Sequence, residues 1–206
     1  FFIPLHLLLN KYYNDLRISN YANVIISYRK GKIEEAVEQL DSLIKDSHKD
    51  PYLYELKAQV LYKAGRLNEA IENYKKSIDY LPYNSDPGYL IKLALSHTLL
   101  LSNRIKEAIS NLEEISHLET SVLYYLSIAY KRDKNLPMFY FSSAKKAFFI
   151  GNIKQFKKYA KLALLSLPKN SAYSMQVSDL LNQIDNNYGS EIYNIKKLHT
   201  FLELLI

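Results

Sequence analysis

Cysteine is absent from the 206 residues, and with it every disulfide, thiolate nucleophile and thiolate metal site. That absence fits a reducing and an oxidising compartment equally. Tryptophan is also absent, and only 5 Gly and 6 Pro punctuate the chain, too few for the turn density of an all-β fold. No run of apolar residues is long enough for a membrane-spanning helix. The usual catalytic spacings are missing too. His6, His48, His97, His117 and His199 form no HExxH, and there is no GxGxxG, GKS/T or GxSxG segment. His117 follows Glu113 by one turn and reads as a solvated pair at a helix end. We expect no catalytic residue, no metal ligand set and no cofactor on this chain.

What is present is apolar, tyrosine-rich and periodic. Hydrophobic residues make up 48% of the chain, enough for a sizeable core, and Tyr alone contributes 19 positions. The net charge of +6 permits an acidic partner without requiring one. The opening FFIPLHLLL is apolar but lacks a basic flank and a small-residue cleavage site, so no signal peptide is expected. Residues 1–15 read as a docking segment that covers the first repeat, since repeat arrays need capped ends. The alternative is a contact surface for a further domain or a membrane. A first residue that is Phe rather than Met leads us to expect more chain upstream.

The stretch PYLYELKAQVLYKAGRLNEAIENYKKSIDYLPYN, residues 51–84, is the clearest repeat. Gly65 sits between two helical patterns, where the chain needs a residue that turns without a Cβ penalty. Ala58 and Ala70 are small enough for two helices to approach, and Leu61, Tyr74 and Ile78 are large enough to fill the space between them. Pro82 stops the second helix. Gly31 to Gly65 is 34 residues, and so is Ala36 to Ala70, the tetratricopeptide period. The 17-residue step from Gly65 to Pro82 recurs from Gly151 to Pro168. The fold class is therefore all-α, a tetratricopeptide-repeat superhelix (an α-α solenoid) of about eleven helices. The solenoid spans 16–186, and 187–206 holds a final amphipathic helix outside the repeat pattern.

In order, helices are expected over 12–29, 33–46, 51–64, 68–81, 87–101, 104–117, 119–132, 136–150, 152–166, 171–185 and 190–205. Asp50 before Pro51 is a good N-cap with Pro at the first helical position. Asn103 stands where Gly turned the earlier pairs, and Asn tolerates the left-handed region. Ser171 is a plausible cap. The pairing around 119–150 is open. The landmarks make 137–168 one repeat, whereas simple alternation makes 137–150 the second helix of a pair begun at 119.

The first helix of each pair should line the inner face of such a stack. Its face-lining positions are Tyr21, Ile25, Tyr28 and Arg29 in the first repeat, with Ile18. In the second they are Tyr52, Glu55, Gln59, Tyr62 and Lys63. His97 follows in the third, among Leu90, Leu93, Leu100 and Leu101, then Tyr124, Lys131 and Arg132 in the fourth, with Ser121 and Ile128. Tyr offers contact area at low entropic cost, so a protein or peptide partner is expected there. Tyr21, Tyr28, Tyr52 and Tyr62 should form one patch, with Arg29 and Lys63 at its rim disfavouring basic ligands. Packing of the same side chains within the chain is the competing account. The Lys/Asn/Lys/Arg set that clamps a C-terminal carboxylate is not visible. Lys154, Lys157, Lys158 and Lys161 form a basic stripe opposite Ile153, Leu162 and Leu165, with Lys145 and Lys146 on the helix before. An all-Lys stripe lacks the aromatic or Arg interleaving of a nucleic-acid surface and reads first as a solvated face, with an acidic protein or anionic lipid as the alternative. No nucleic-acid partner is expected, and membrane association only indirectly.

The segment DPYLYELKAQVLYKAGRLNEAI, followed in order by LSIAYKRDKNLPM, SSAKKAFFIGNIKQFKKYAKLAL and LPKNSAYSMQVSDLL, resembles the repeat region behind the catalytic domain of BepA-like bacterial zinc metallopeptidases. The resemblance covers about residues 16–185, with Ala58 where that family usually has Gly. It implies a periplasmic protein-interaction module that serves envelope protein quality control. It further implies an HExxH protease domain upstream, as a partner within the same polypeptide. No zinc or catalytic residue carries over, because none of that motif occurs here. The alternative is a free-standing scaffold or adaptor in the cytoplasm.

Overall fold

The short turns between helices share one backbone design, and it fixes where each helix pair folds back. Gly31, Gly65 and Gly151 have φ of 75°, 75° and 72°, and Asn103 and Lys134 adopt the same left-handed region at 59° and 61°. At Gly65 the turn N–H donates to Tyr62 O at 3.0 Å, and the next N–H, of Arg66, donates to Leu61 O at 2.9 Å. The same two bonds recur at the other four turns. This pairing satisfies the last carbonyls of the preceding helix and requires positive φ at one residue. Four of the five turn residues are Gly or Asn, the types that adopt it at low cost. Lys134 is the exception, and sequence reasoning did not single it out.

In the computed structural model, residues 16–82, 87–115 and 120–186 are described. They form helices α1 (Leu16–Arg29), α2 (Ile33–Asp46), α3 (Pro51–Lys63), α4 (Leu67–Tyr80), α5 (Pro87–Leu101), α6 (Ile105–Glu113), α7 (Thr120–Arg132), α8 (Leu136–Phe149) and α9 (Ile153–Ser166). A tenth, α10, covers 172–186. There is no strand among the described residues, and the architecture is a helical solenoid of tandem hairpins. The segment at 1–15 and the helix expected at 190–205 lie outside the described residues. So does His117, with the pair it was read to make.

Helix limits agree with the sequence reading to within a residue or so, apart from α6 and from the expected start of α1 at 12, which lies outside the described residues. Expected to reach 117, α6 ends at Glu113, and Ile115 turns back into the core. Capping accounts for several starts. Asp50 accepts a bond from Tyr52 N–H at 3.0 Å ahead of Pro51, Asn135 from Met138 N–H at 3.3 Å, and Ser171 from Ser174 N–H at 3.2 Å. Such caps are worth about 1 kcal/mol each.

The chain divides into two compact units, one up to residue 117 and one from residue 118. In the first, each helix packs on the next from α1 to α6. Ala58, Ala70, Ala36 and Ala108 are fully buried at the crossings, with Leu40, Leu61, Ile71 and Tyr74 filling between them. The outward faces of the second helices are tied by ion pairs. Arg66 reaches Glu34 at 3.1 Å and Glu69 at 2.6 Å, and Lys75 reaches Glu107 at 3.6 Å. These pairs are exposed and worth little in stability, but they leave that face satisfied within the chain.

In the second unit α8 packs on α7 and on α9. Phe141 meets Tyr173 of α10 with ring centroids 4.9 Å apart. The core runs through Phe141, Ala144, Ala147, Phe156, Ala160, Ala163, Leu167, Val177 and Ile184. The same positive-φ turn joins α7 to α8 at Lys134 and α8 to α9 at Gly151, so α8 folds back on both neighbours.

Candidate partner-binding face

Two helical faces were singled out by the sequence, and each belongs largely to one unit. In the first unit, the inner faces of α1 and α3 converge on Tyr74 of α4, and α5 joins them through His97 against Tyr62. Tyr74 is buried, and burial together with the nearby Glu55 carboxylate and the Tyr62 and Tyr28 hydroxyls raises its pKa well above the ordinary phenol value. Tyr21 is raised by burial first, then by the charges of Glu55 and Asp50. The fold therefore brings Tyr21, Tyr28, Glu55, Tyr62 and Tyr74 into one neighbourhood. Tyr62 Oη lies 3.4 Å from His97 Nδ1, with the two rings 5.7 Å apart. Burial lowers the His97 pKa from its ordinary value, which favours the neutral imidazole.

Exposure grades this face. Tyr21, Ile25, Tyr28, Glu55, Tyr62 and His97 are half-buried, Gln59, Arg29 and Lys63 are exposed, and Tyr52 keeps 50% of its surface open. Glu55 accepts a bond from Gln59 Nε2 at 2.9 Å and makes no ion pair with any described residue. Desolvation raises its pKa, and the Gln59 bond opposes that only in part. Leu100, read as face-lining, is buried in the core, whereas Leu90 and Leu101 are exposed. The side chain of Ile18 lies outside the described set. Tyr74 is the participant that sequence reasoning missed at this face. It had been assigned to the helix crossing, and it also forms the floor.

Tyr124, Lys131 and Arg132 belong to the second unit and are exposed there. Lys146 Nζ lies 5.1 Å from the Tyr124 ring centroid, and Lys131 Nζ lies 5.8 Å from that of Phe139. Phe139, Tyr140 and Tyr159 form a ring cluster with centroids 5.3 to 6.5 Å apart. Here the cations and rings satisfy one another.

The basic stripe needs two corrections. Lys154, Lys157, Lys158 and Lys161 are all exposed on α9 as expected, yet Lys157 pairs with Asp185 of α10 at 3.0 Å and Lys158 lies over the Tyr159 ring at 5.9 Å. Lys145, placed beside the stripe, is instead buried. Its ammonium donates to Gln176 Oε1 at 3.2 Å and sits 5.3 Å from the Phe141 centroid, and burial lowers its pKa. The apolar side of α9 is Phe156, Ala160 and Ala163, while Leu165 is 75% exposed. Leu165 was read as facing inward because its spacing fits a stripe that α9 does not bury.

Among the described residues no group of three or more His, Asp or Glu could hold a metal ion, and no helix is long and apolar enough to cross a membrane. No protein-family model and no curated protein sequence matches the chain. Solved structures do. A double mutant of MamA RS-1 aligns with a TM-score of 0.60 at 19% identity over 84% of this chain and 98% of that one. A shortened MamA from Desulfovibrio magneticus RS-1 gives 0.58 at 18%, with the same coverages. A variant of a putative kinesin light chain from Podosopora anserina, with nearly identical TPR-like repeats, gives 0.50 at 14% over 88% and 91%. The fold is thus of the tetratricopeptide-repeat kind.

Proposed function

We propose that this chain is a protein-interaction module, and that its first unit binds an extended peptide across the inner face of α1, α3 and α5. The observation that carries the reading is the treatment of tyrosine there. Tyr21, Tyr28 and Tyr62 gather around Glu55 and Tyr74 and, like Tyr52, stay partly open, although the same unit buries Tyr54 and Tyr74. Partly open tyrosines beside a floor of packed side chains suit hot-spot contacts. The tetratricopeptide-type fold supports the reading by analogy of architecture. The test is Tyr28→Ala with Tyr62→Ala. Binding should weaken by about 2 kcal/mol or more if these rings are anchors, with the helical circular dichroism spectrum retained. Unchanged binding per folded molecule would remove this face as the site.

The finer reading is that the module is the repeat region of a periplasmic zinc metallopeptidase acting in envelope quality control. It rests on the resemblance of DPYLYELKAQVLYKAGRLNEAI to that family. An HExxH in the open reading frame upstream of residue 1 supports it. A start codon close to residue 1 favours the free-standing adaptor.

A further inference from the structure

Glu55 differs from every other described carboxylate. The others are ion-paired, exposed to solvent or, for Asp50, engaged in capping α3. Glu55 is half-buried on the face proposed to bind, and Gln59 is its single described hydrogen-bond partner. A partly desolvated carboxylate with no ion-pair partner among the described residues favours a cation brought by a ligand. Tyr21 lies close enough to feel the Glu55 charge, and a tyrosine ring next to a carboxylate favours a bound cation further. Resting on the peptide-binding reading above, we propose that Glu55 receives a basic side chain. The partner is then an extended peptide that presents a lysine or arginine to Glu55 beside Tyr21.

The rim cations sharpen this specificity and do not abolish it. Lys63 lies eight residues beyond Glu55 on α3, a rise of about 12 Å, too far to neutralise it. An extended peptide crosses that distance in about four residues. A basic residue at Glu55 with an acidic residue about four positions away, near Lys63, therefore matches the charge order of α3. The reading that Arg29 and Lys63 repel all basic ligands gives way to one in which charge order matters.

A display library of random twelve-residue peptides, selected on the full chain, tests the proposal. The winners are then titrated against the wild-type chain, Glu55→Gln, and Tyr28→Ala with Tyr62→Ala. The expected result is a Lys or Arg at one fixed position in the winners. Its replacement by norleucine, and Glu55→Gln, should each lower affinity by about ten-fold or more, and in combination should cost no more than either alone. Winners that depend on the tyrosines but not on Glu55 or a basic residue would overturn this proposal and leave the peptide-binding reading standing. Winners indifferent to both, or no enrichment, would overturn both. A dimer in sedimentation that the tyrosine substitutions dissolve would also overturn the proposal, by giving the face a second copy as its occupant.

Discussion

The two units use similar residue types to opposite ends. In the first, tyrosines gather around Glu55 and stay partly open, and the carboxylate meets no cation among the described residues. In the second, the aromatic residues of α8, α9 and α10 pack on one another, and Lys145 is buried beside Phe141 with its ammonium bonded to Gln176. The geometry of coverage makes the difference. The inner side of α3 keeps half-buried and exposed positions among the described residues, whereas α8 is covered by α7, α9 and α10. A charge at an uncovered face can wait for a ligand, while a charge beneath three helices only costs desolvation. Aromatic and basic side chains thus form a partly open face in one unit and pack on one another in the other.

The largest expected effect separates core from face. Phe156→Ala removes a fully buried ring from the second unit and should destabilise by about 3–5 kcal/mol. Tyr52→Ala, at an exposed position of the first unit, should stay within about 0.5 kcal/mol. Urea unfolding of each variant checks the contrast, and comparable losses would mean that Tyr52 is packed rather than presented.

The turns come next. Gly65→Val places a β-branched residue at a φ of 75° and should cost about 1–3 kcal/mol, although a Cβ there would meet no neighbour within 4 Å. The loss would therefore be conformational. Lys134→Gly is the converse in the second unit, since Lys134 holds a φ of 61°, and it should stabilise by about 1 kcal/mol. Equal melting temperatures for Lys134→Gly and wild type would show that the turn strain is compensated by contacts of the lysine.

Lys145→Met keeps the buried stem and deletes the ammonium, and should raise stability at pH 7 by about 1 kcal/mol. The Lys145 pKa is lowered in the fold, so the wild type regains stability as the amine loses its proton in alkaline solution. The advantage of the variant should shrink there, and a constant advantage would count against burial as the cause.

The smallest effect is on Glu55. Its pKa is raised above 4.5 in the fold, so the stability of the wild type falls as pH rises through that folded value. Glu55→Gln should therefore match the wild type at pH 4 and below, and exceed it at pH 7 by less than about 1 kcal/mol. The same variant should bind basic peptides more weakly. Thermal melts across that range give the sign, and a wild type more stable than the variant at pH 7 would mean that Glu55 already has a counter-charge.

The amino-acid sequence by itself determined the helical hairpins and most of their ends. Those are local matters. Gly31, Gly65, Gly151 and Asn103 suit positive φ, Asp50-Pro51 starts a helix and Pro82 stops one, and the 34-residue spacing sets the repeat. The face-lining row of α3 was also legible, because helical periodicity places Tyr52, Glu55, Gln59 and Tyr62 together. Only the tertiary structure decided what covers each face. Spacing alone does not tell that Tyr74 is both core and floor, that Lys145 leaves the basic stripe for the interior, or that Leu165 stays in solvent. It does not distinguish a lysine that turns the chain at 134 from lysines that solvate a helix. Periodicity states which residues share a side of a helix, and burial depends on whether another helix arrives there. That arrival is set by contacts between residues distant in sequence, such as Phe141 with Tyr173 and Tyr62 with His97.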